Sequence, residues 1–323
     1  MNRRSIAYRL QRFARRMPVY AMAILCAAAS MVCDAAGDSV KDGALRVGVS
    51  VAPQKYLVDR IGGEDVQVRV LIPVGVDPHS YEPGPEQLRI LSDLVVYFRQ
   101  GLEFEKSCLR RLRGINAGLR VVDLGPQSIQ PFASTRDDFG PGDSSNDSSN
   151  DSGHEHAHGK GHLNPHTWLS PRIVREQSDA ILGTLVELRP ESRARFTRGH
   201  RELRAELDQV DAYIRRRLAP FKNQLLVVYH PSWEYFARDY GLRMIAVQAD
   251  GHEPSARDLM RLVRLSRAAG VKAIFAEPGF NPRSVEVVAR DLDARVETID
   301  PLAPDWAQNL CDTADQIAEA LAP

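Results

Sequence analysis

The chain carries nine histidines, and five of them fall within thirteen positions of one stretch, "DSSNDSGHEHAHGKGHLNPHTW", residues 147–168. Imidazole is the side chain most often used to hold a transition metal. The surroundings divide the five. His154, His156, His158 and His162 stand among Gly, Ser, Asp and Asn, a composition that binds metal weakly or stays solvated. His166 is set differently, with Pro165 before it and a helix start at Ser170–Pro171 behind it. Two further histidines share the proline neighbour: Pro78 precedes His79, and Pro231 follows His230. Proline narrows the local backbone choices, which suits a side chain that must be aimed. A lone histidine near a strand end is ordinarily a structural residue. Three of them with a carboxylate such as Asp300 are a natural set for tetrahedral Zn²⁺.

Those residues take their places from alternating strand-like and helix-like runs, the pattern of an α/β fold. Runs 44–51, 66–73, 93–98 and 119–124 are rich in β-branched residues and read as parallel strands, with helical spacing in 85–93 and 104–114. A second set of strands follows at 223–230, 242–248, 271–277 and 294–300. Between the two sets, residues 190–219 place Phe196, Leu203, Leu207, Val210, Tyr213, Ile214 and Leu218 at three- and four-residue steps, the mark of one long amphipathic helix. The expected fold is therefore two α/β lobes with parallel sheets joined by a long backbone helix. The N-terminal lobe spans 37–189, the linking helix 190–219 and the C-terminal lobe 220–323. Ligands of open α/β sheets bind beyond the carboxyl ends of strands. His79, His230, Glu277 and Asp300 all stand there, and His166 lies just before a helix start. No internal sequence repeat is discernible.

The first 36 residues read as a secretory signal: six arginines, then a short apolar stretch, Val19–Val32, too brief to span a bilayer, then small residues near position 35. An uncleaved anchor is the alternative. Without that segment the chain holds 36 basic and 41 acidic residues, a balance that argues against nucleic-acid binding. Residues 134–162 hold almost nothing apolar and read as a disordered loop of the N-terminal lobe. Only Cys108 and Cys311 remain beyond the signal segment, about 200 residues apart, so a disulfide framework is not expected.

The pieces "GVDPHSYEPGPEQ", "NPHTWLSP", "VVYHPSWEYFARDYGL", "IFAEPGF" and "TIDPL" resemble, in order and over almost all of the mature chain, the substrate-binding proteins of bacterial zinc and manganese ABC importers. The resemblance implies a metal held in the cleft between the lobes. It puts the ligands on His79, His166 and His230, with Asp300 as the fourth and Glu277 or water as alternatives for that place. Manganese members usually carry a carboxylate where this chain has His230, so a third imidazole favours borderline-soft Zn²⁺. Glu103 matches a position near the cleft, Glu277 fits a place behind the ligands, and Tyr81, Trp168 and Trp233 read as cleft wall or core.

What the resemblance implies about function is capture of Zn²⁺ as cargo outside the inner membrane. A monomer would deliver the ion to an ABC permease driven by its ATPase. The alternatives are a zinc-dependent hydrolase, a manganese or iron importer component, and an adhesin. Against an enzyme, no general base sits at a recognisable spacing from His79, His166 and His230.

Overall fold

The computed structural model describes residues 43–126 apart from 74, 77 and 80, and residues 163–248, 255–279 and 282–322. The signal segment 1–36 and the histidines of loop 134–162 lie outside the described residues. Two four-stranded sheets are present. The first contains β1 (Leu45–Val49), β2 (Val66–Val70), β3 (Val96–Arg99) and β4 (Arg120–Asp123), in the order β2-β1-β3-β4. The second contains β5 (Leu225–Val228), β6 (Arg243–Ala246), β7 (Ala273–Ala276) and β8 (Arg295–Thr298), in the order β6-β5-β7-β8.

Every strand pair is parallel; Val47 faces both Val68 and Val96, and Val228 faces both Ala246 and Phe275. Parallel strands covered on both faces read as continuous apolar runs, and β5 (LLVV) and β7 (AIFA) are buried throughout. Both sheets have the same strand order, so the chain repeats a topology that its sequence does not repeat. Each sheet reverses its winding at the central pair, β1/β3 or β5/β7, where a crevice opens at the carboxyl ends.

Between the sheets runs α5 (Arg193–Leu218), 26 residues and so about 39 Å long. Its buried stripe is Phe196, His200, Leu203, Leu207, Val210, Ile214 and Leu218. That stripe packs on α1 (Ala52–Gly62), α4 (Pro171–Leu188) and α9 (Trp306–Leu321). Gly199 permits the close approach to α1, because a Cβ there would lie 2.5 Å from the Arg60 carbonyl oxygen. One apolar core continues from β1 and β3 through α5 to β5 and Trp306. The helix start expected at Ser170 is formed as such: its Oγ accepts the Ile173 N–H at 3.1 Å, with Pro171 in the first turn.

All eight strand runs and the long helix lie where the residue pattern puts them. Helix α1 was not anticipated; its apolar residues Leu57, Val58 and Ile61 are few among polar ones, yet all three are buried. Cys108 and Cys311 are free thiols. Among the described residues, no helix is long and apolar enough to cross a membrane.

Candidate metal centre

The three proline-flanked histidines meet. One ring nitrogen from each of His79, His166 and His230 lies within 4.8 Å of the other two, the one such group of metal-ligating side chains among the described residues. The Nε2 atoms of His79 and His230 are 3.0 Å apart. Ring centroids stand 4.6 Å apart for His79–His230, 5.3 Å for His166–His230 and 5.4 Å for His79–His166. His166 and His230 are buried, whereas His79 is exposed and forms the solvent side of the cluster.

Each buried histidine has its other nitrogen engaged. His166 Nδ1 lies 2.6 Å from Asn164 Oδ1, an acceptor, so Nδ1 carries the proton and Nε2 is left with its lone pair. His230 Nδ1 lies 3.3 Å from Gln248 Oε1, an acceptor placed for the same tautomer. Gln248 reaches this place because it lies two residues beyond β6, next to β5, where its N–H donates to the Tyr229 carbonyl at 2.8 Å. Burial, with the two neighbouring imidazoles second, holds the His166 pKa well below the ordinary histidine value, so its lone pair stays available in mild acid.

Asn164 does more than orient one ring. Its Oδ1 also accepts the His166 N–H at 3.0 Å, and its Nδ2 donates to the Pro231 carbonyl and to Glu234 Oε2, both at 2.8 Å. One amide therefore ties the His166 segment to the residue after His230. Tyr235 donates to the Asn164 carbonyl at 2.8 Å. Trp168 Nε1 donates to the Pro301 carbonyl at 2.7 Å, and Trp306 Nε1 donates to the Trp168 carbonyl at 2.7 Å. The short segment 164–168 is thus bonded to three separate parts of the C-terminal lobe.

Asp300 is not brought into the cluster of donor atoms. Its Oδ1 accepts the Leu302 N–H at 2.8 Å within its own turn, and its carbonyl accepts Asn309 Nδ2 at 2.7 Å. Glu277 is half-buried just past β7. Glu103 is exposed in the first turn of α3 (Glu103–Ile115); the buried carboxylate of that turn is Glu105, which the sequence reading passed over. Tyr81 is buried and donates to the Leu71 carbonyl at 2.8 Å, at the base of the loop that carries His79. Trp233 is fully buried, with its ring edge-on to Phe236, and belongs to the core.

A family model described as zinc-uptake complex component A, periplasmic, matches residues 47–320. The chain belongs to that family. A crystal structure of a zinc-bound ZnuA deletion mutant is 36% identical, superposes with a TM-score of 0.75, and covers 87% of this chain and 99% of its own. The high-affinity zinc uptake system protein ZnuA of Yersinia pestis is 26% identical, over 79% of this chain and 82% of that protein. A putative metal-binding protein of Chlamydia trachomatis is 27% identical, over 84% of this chain and 89% of its own length. Family membership makes the chain a substrate-binding component of zinc uptake, and the ZnuA-like fold of two parallel-sheet lobes is the one described above.

Asn164 and Gln248 were not singled out from the sequence. A signal for Asn164 was present, two residues before His166 in "NPHTW". Gln248 gave none, because only strand pairing brings it beside His230.

Proposed function

We propose that His79, His166 and His230 hold one Zn²⁺ as cargo, with Asp300 entering as the fourth ligand. The observation that carries this reading is the convergence of three imidazole nitrogens, two of them on buried rings whose other nitrogen faces an amide oxygen. Three neutral imidazoles suit Zn²⁺ better than Mn²⁺, which prefers oxygen. Asp300 Oδ1 accepts the Leu302 N–H within its own turn, so the carboxylate reaches the three histidines by a movement of that turn. Glu277 or water is the alternative for that position.

The protein acts outside the inner membrane after export by its signal segment. As a monomer, it passes the ion to an ABC permease powered by a cytoplasmic ATPase. It does no chemistry on the metal, in keeping with its family of uptake components. Exposed His79 sits on the path of the ion, and the buried pair behind it supplies a dry wall. Zinc titration against a competing chelator tests the site. Wild type is expected to bind one ion tightly, and His230→Ala to bind it weaker by orders of magnitude. Equal titration curves would dismiss the assignment.

A further inference from the structure

His166 is held from the N-terminal lobe as well, by a run of buried amides that no ligand role explains. Gln100, which follows β3 and has no exposed surface, directs both hydrogens of Nε2 at the residues on either side of His166. One goes to the Pro165 carbonyl at 3.0 Å and the other to Thr167 Oγ1 at 2.5 Å. The Pro165 carbonyl also accepts the Thr167 N–H at 2.8 Å. His166 has φ −76° and ψ 39°, so the three residues form a tight inverse γ-like turn with the ligand at its apex.

The Gln100 amide has one orientation open to it. Its Oε1 accepts Gln54 Nε2 at 2.9 Å. Gln54 is fixed in turn, since its Oε1 accepts the N–H groups of Ser50 and Val51 at 2.9 and 3.2 Å. Its remaining Nε2 hydrogen goes to the Phe98 carbonyl at 3.3 Å. Glu105 closes the other end by accepting the Gln100 and Gly101 N–H groups, each at 2.7 Å. Gln177 Nε2 adds a second donor to Thr167 Oγ1 at 2.8 Å.

Ser50 links this run to the second ligand. Its carbonyl accepts the Ile72 N–H at 3.1 Å, and Ile72 begins the loop that carries His79. The carboxyl end of β1 therefore anchors the His79 loop, while the Gln54–Gln100 pair reaches from the same point to His166.

We propose that Gln54 and Gln100 are positioning residues for zinc binding: the buried amide pair sets the distance and angle between His79 and His166. The proposal rests on the zinc-site reading above. Gln100→Glu has nearly the same shape but replaces both donors with an oxygen that faces the acceptor-only Pro165 carbonyl and can be met only by a reoriented Thr167 hydroxyl. The γ-like turn then loses its hold, and His166 moves from its place. Supporting groups of this kind are worth about 10- to 100-fold in metal affinity.

The test compares wild type with Gln100→Glu, Thr167→Val and Tyr97→Phe, with His230→Ala as a check on the site itself. Tyr97 bonds to Ser50 Oγ at 2.8 Å, so it belongs to the same buried cluster but is not among the hydrogen-bond partners of Gln54 or Gln100. Three quantities are read: zinc affinity by chelator competition, the visible absorption of the protein loaded with one equivalent of Co²⁺, and the metal-free melting temperature. Gln100→Glu is expected to lose about tenfold or more in affinity and to change the Co²⁺ band, which a merely structural residue would leave alone. Tyr97→Phe is expected to lower the melting temperature while affinity and the Co²⁺ band stay as in wild type. Affinity of Gln100→Glu within about twofold of wild type, with the same Co²⁺ band, overturns the proposal, as does an equal affinity loss in Tyr97→Phe. If Gln100→Glu does not fold, Thr167→Val decides: a loss above about twofold supports the proposal, and a smaller one overturns it. Unaltered binding by His230→Ala would instead overturn the zinc-site reading.

Discussion

Asn164→Ala is the substitution that separates holding a ligand from being one. It removes the acceptor for His166 Nδ1 and for the His166 N–H, and the donors to the Pro231 carbonyl and Glu234. Ordinary hydrogen bonds contribute about 0.5–1.5 kcal/mol net, and a buried donor left without a partner costs about 1–3 kcal/mol. The His166 ring is then free to rotate or to change tautomer, so binding has to restore an orientation that wild type already has. Loss of a group behind a metal-bound histidine typically costs about 10- to 100-fold in affinity, or about 1.4–2.8 kcal/mol. Asn164→Asp keeps an oxygen toward His166 but sets a second carboxylate oxygen against the Pro231 carbonyl and Glu234. Its expected signature is a lowered metal-free melting temperature with a smaller affinity loss than the alanine variant. Chelator competition and thermal melts on both variants supply the two readings. Wild-type zinc affinity in Asn164→Ala would refute the reasoning, because the tautomer of His166 would then need no support.

Other expectations concern acid, the fourth ligand and the long helix. Burial lowers the pKa of His166 and of His200, so the unfolded chain takes up protons first as pH falls. Metal-free stability should be full above about pH 6.5 and decline as the pH drops below it; urea midpoints constant from about pH 8 to about pH 5.5 would contradict this. Asp300→Ala should weaken zinc binding less than His230→Ala, because Asp300 is not among the converged donor atoms; a larger loss in the chelator assay would reverse that ranking. Gly199→Ala drives a methyl against the Arg60 carbonyl oxygen and should cost about 1–3 kcal/mol of stability in denaturant melts. Zinc affinity measured where that variant is still folded should be unchanged; a loss would mean that α5 acts on the site directly.

Most of the fold was legible because parallel strands buried on both faces leave short β-branched runs, and α5 repeats its apolar residues at helical spacing over 26 positions. Proline neighbours marked the three histidines that converge. What sequence did not carry was pairing across strands and lobes. Gln248 stands beside His230 only because β6 pairs with β5, and Gln100 is 65 positions away from the Pro165 carbonyl it holds. A buried glutamine has no periodicity and no motif; its partners exist only in the folded chain. The duplicated strand order was likewise invisible, since two lobes can share a winding while sharing no residue pattern. Helix α1 escaped for a local reason, in that Leu57, Val58 and Ile61 are too few to set a period within 11 residues.

X-ray absorption at the zinc edge, on protein loaded with one equivalent of Zn²⁺, tests the central claim most directly. Three imidazole nitrogens at about 2.0–2.1 Å with one oxygen in a four-coordinate shell is the expected result. A shell with fewer than three imidazoles, or with sulfur from a cysteine, would contradict the assignment of His79, His166 and His230 as the zinc ligands.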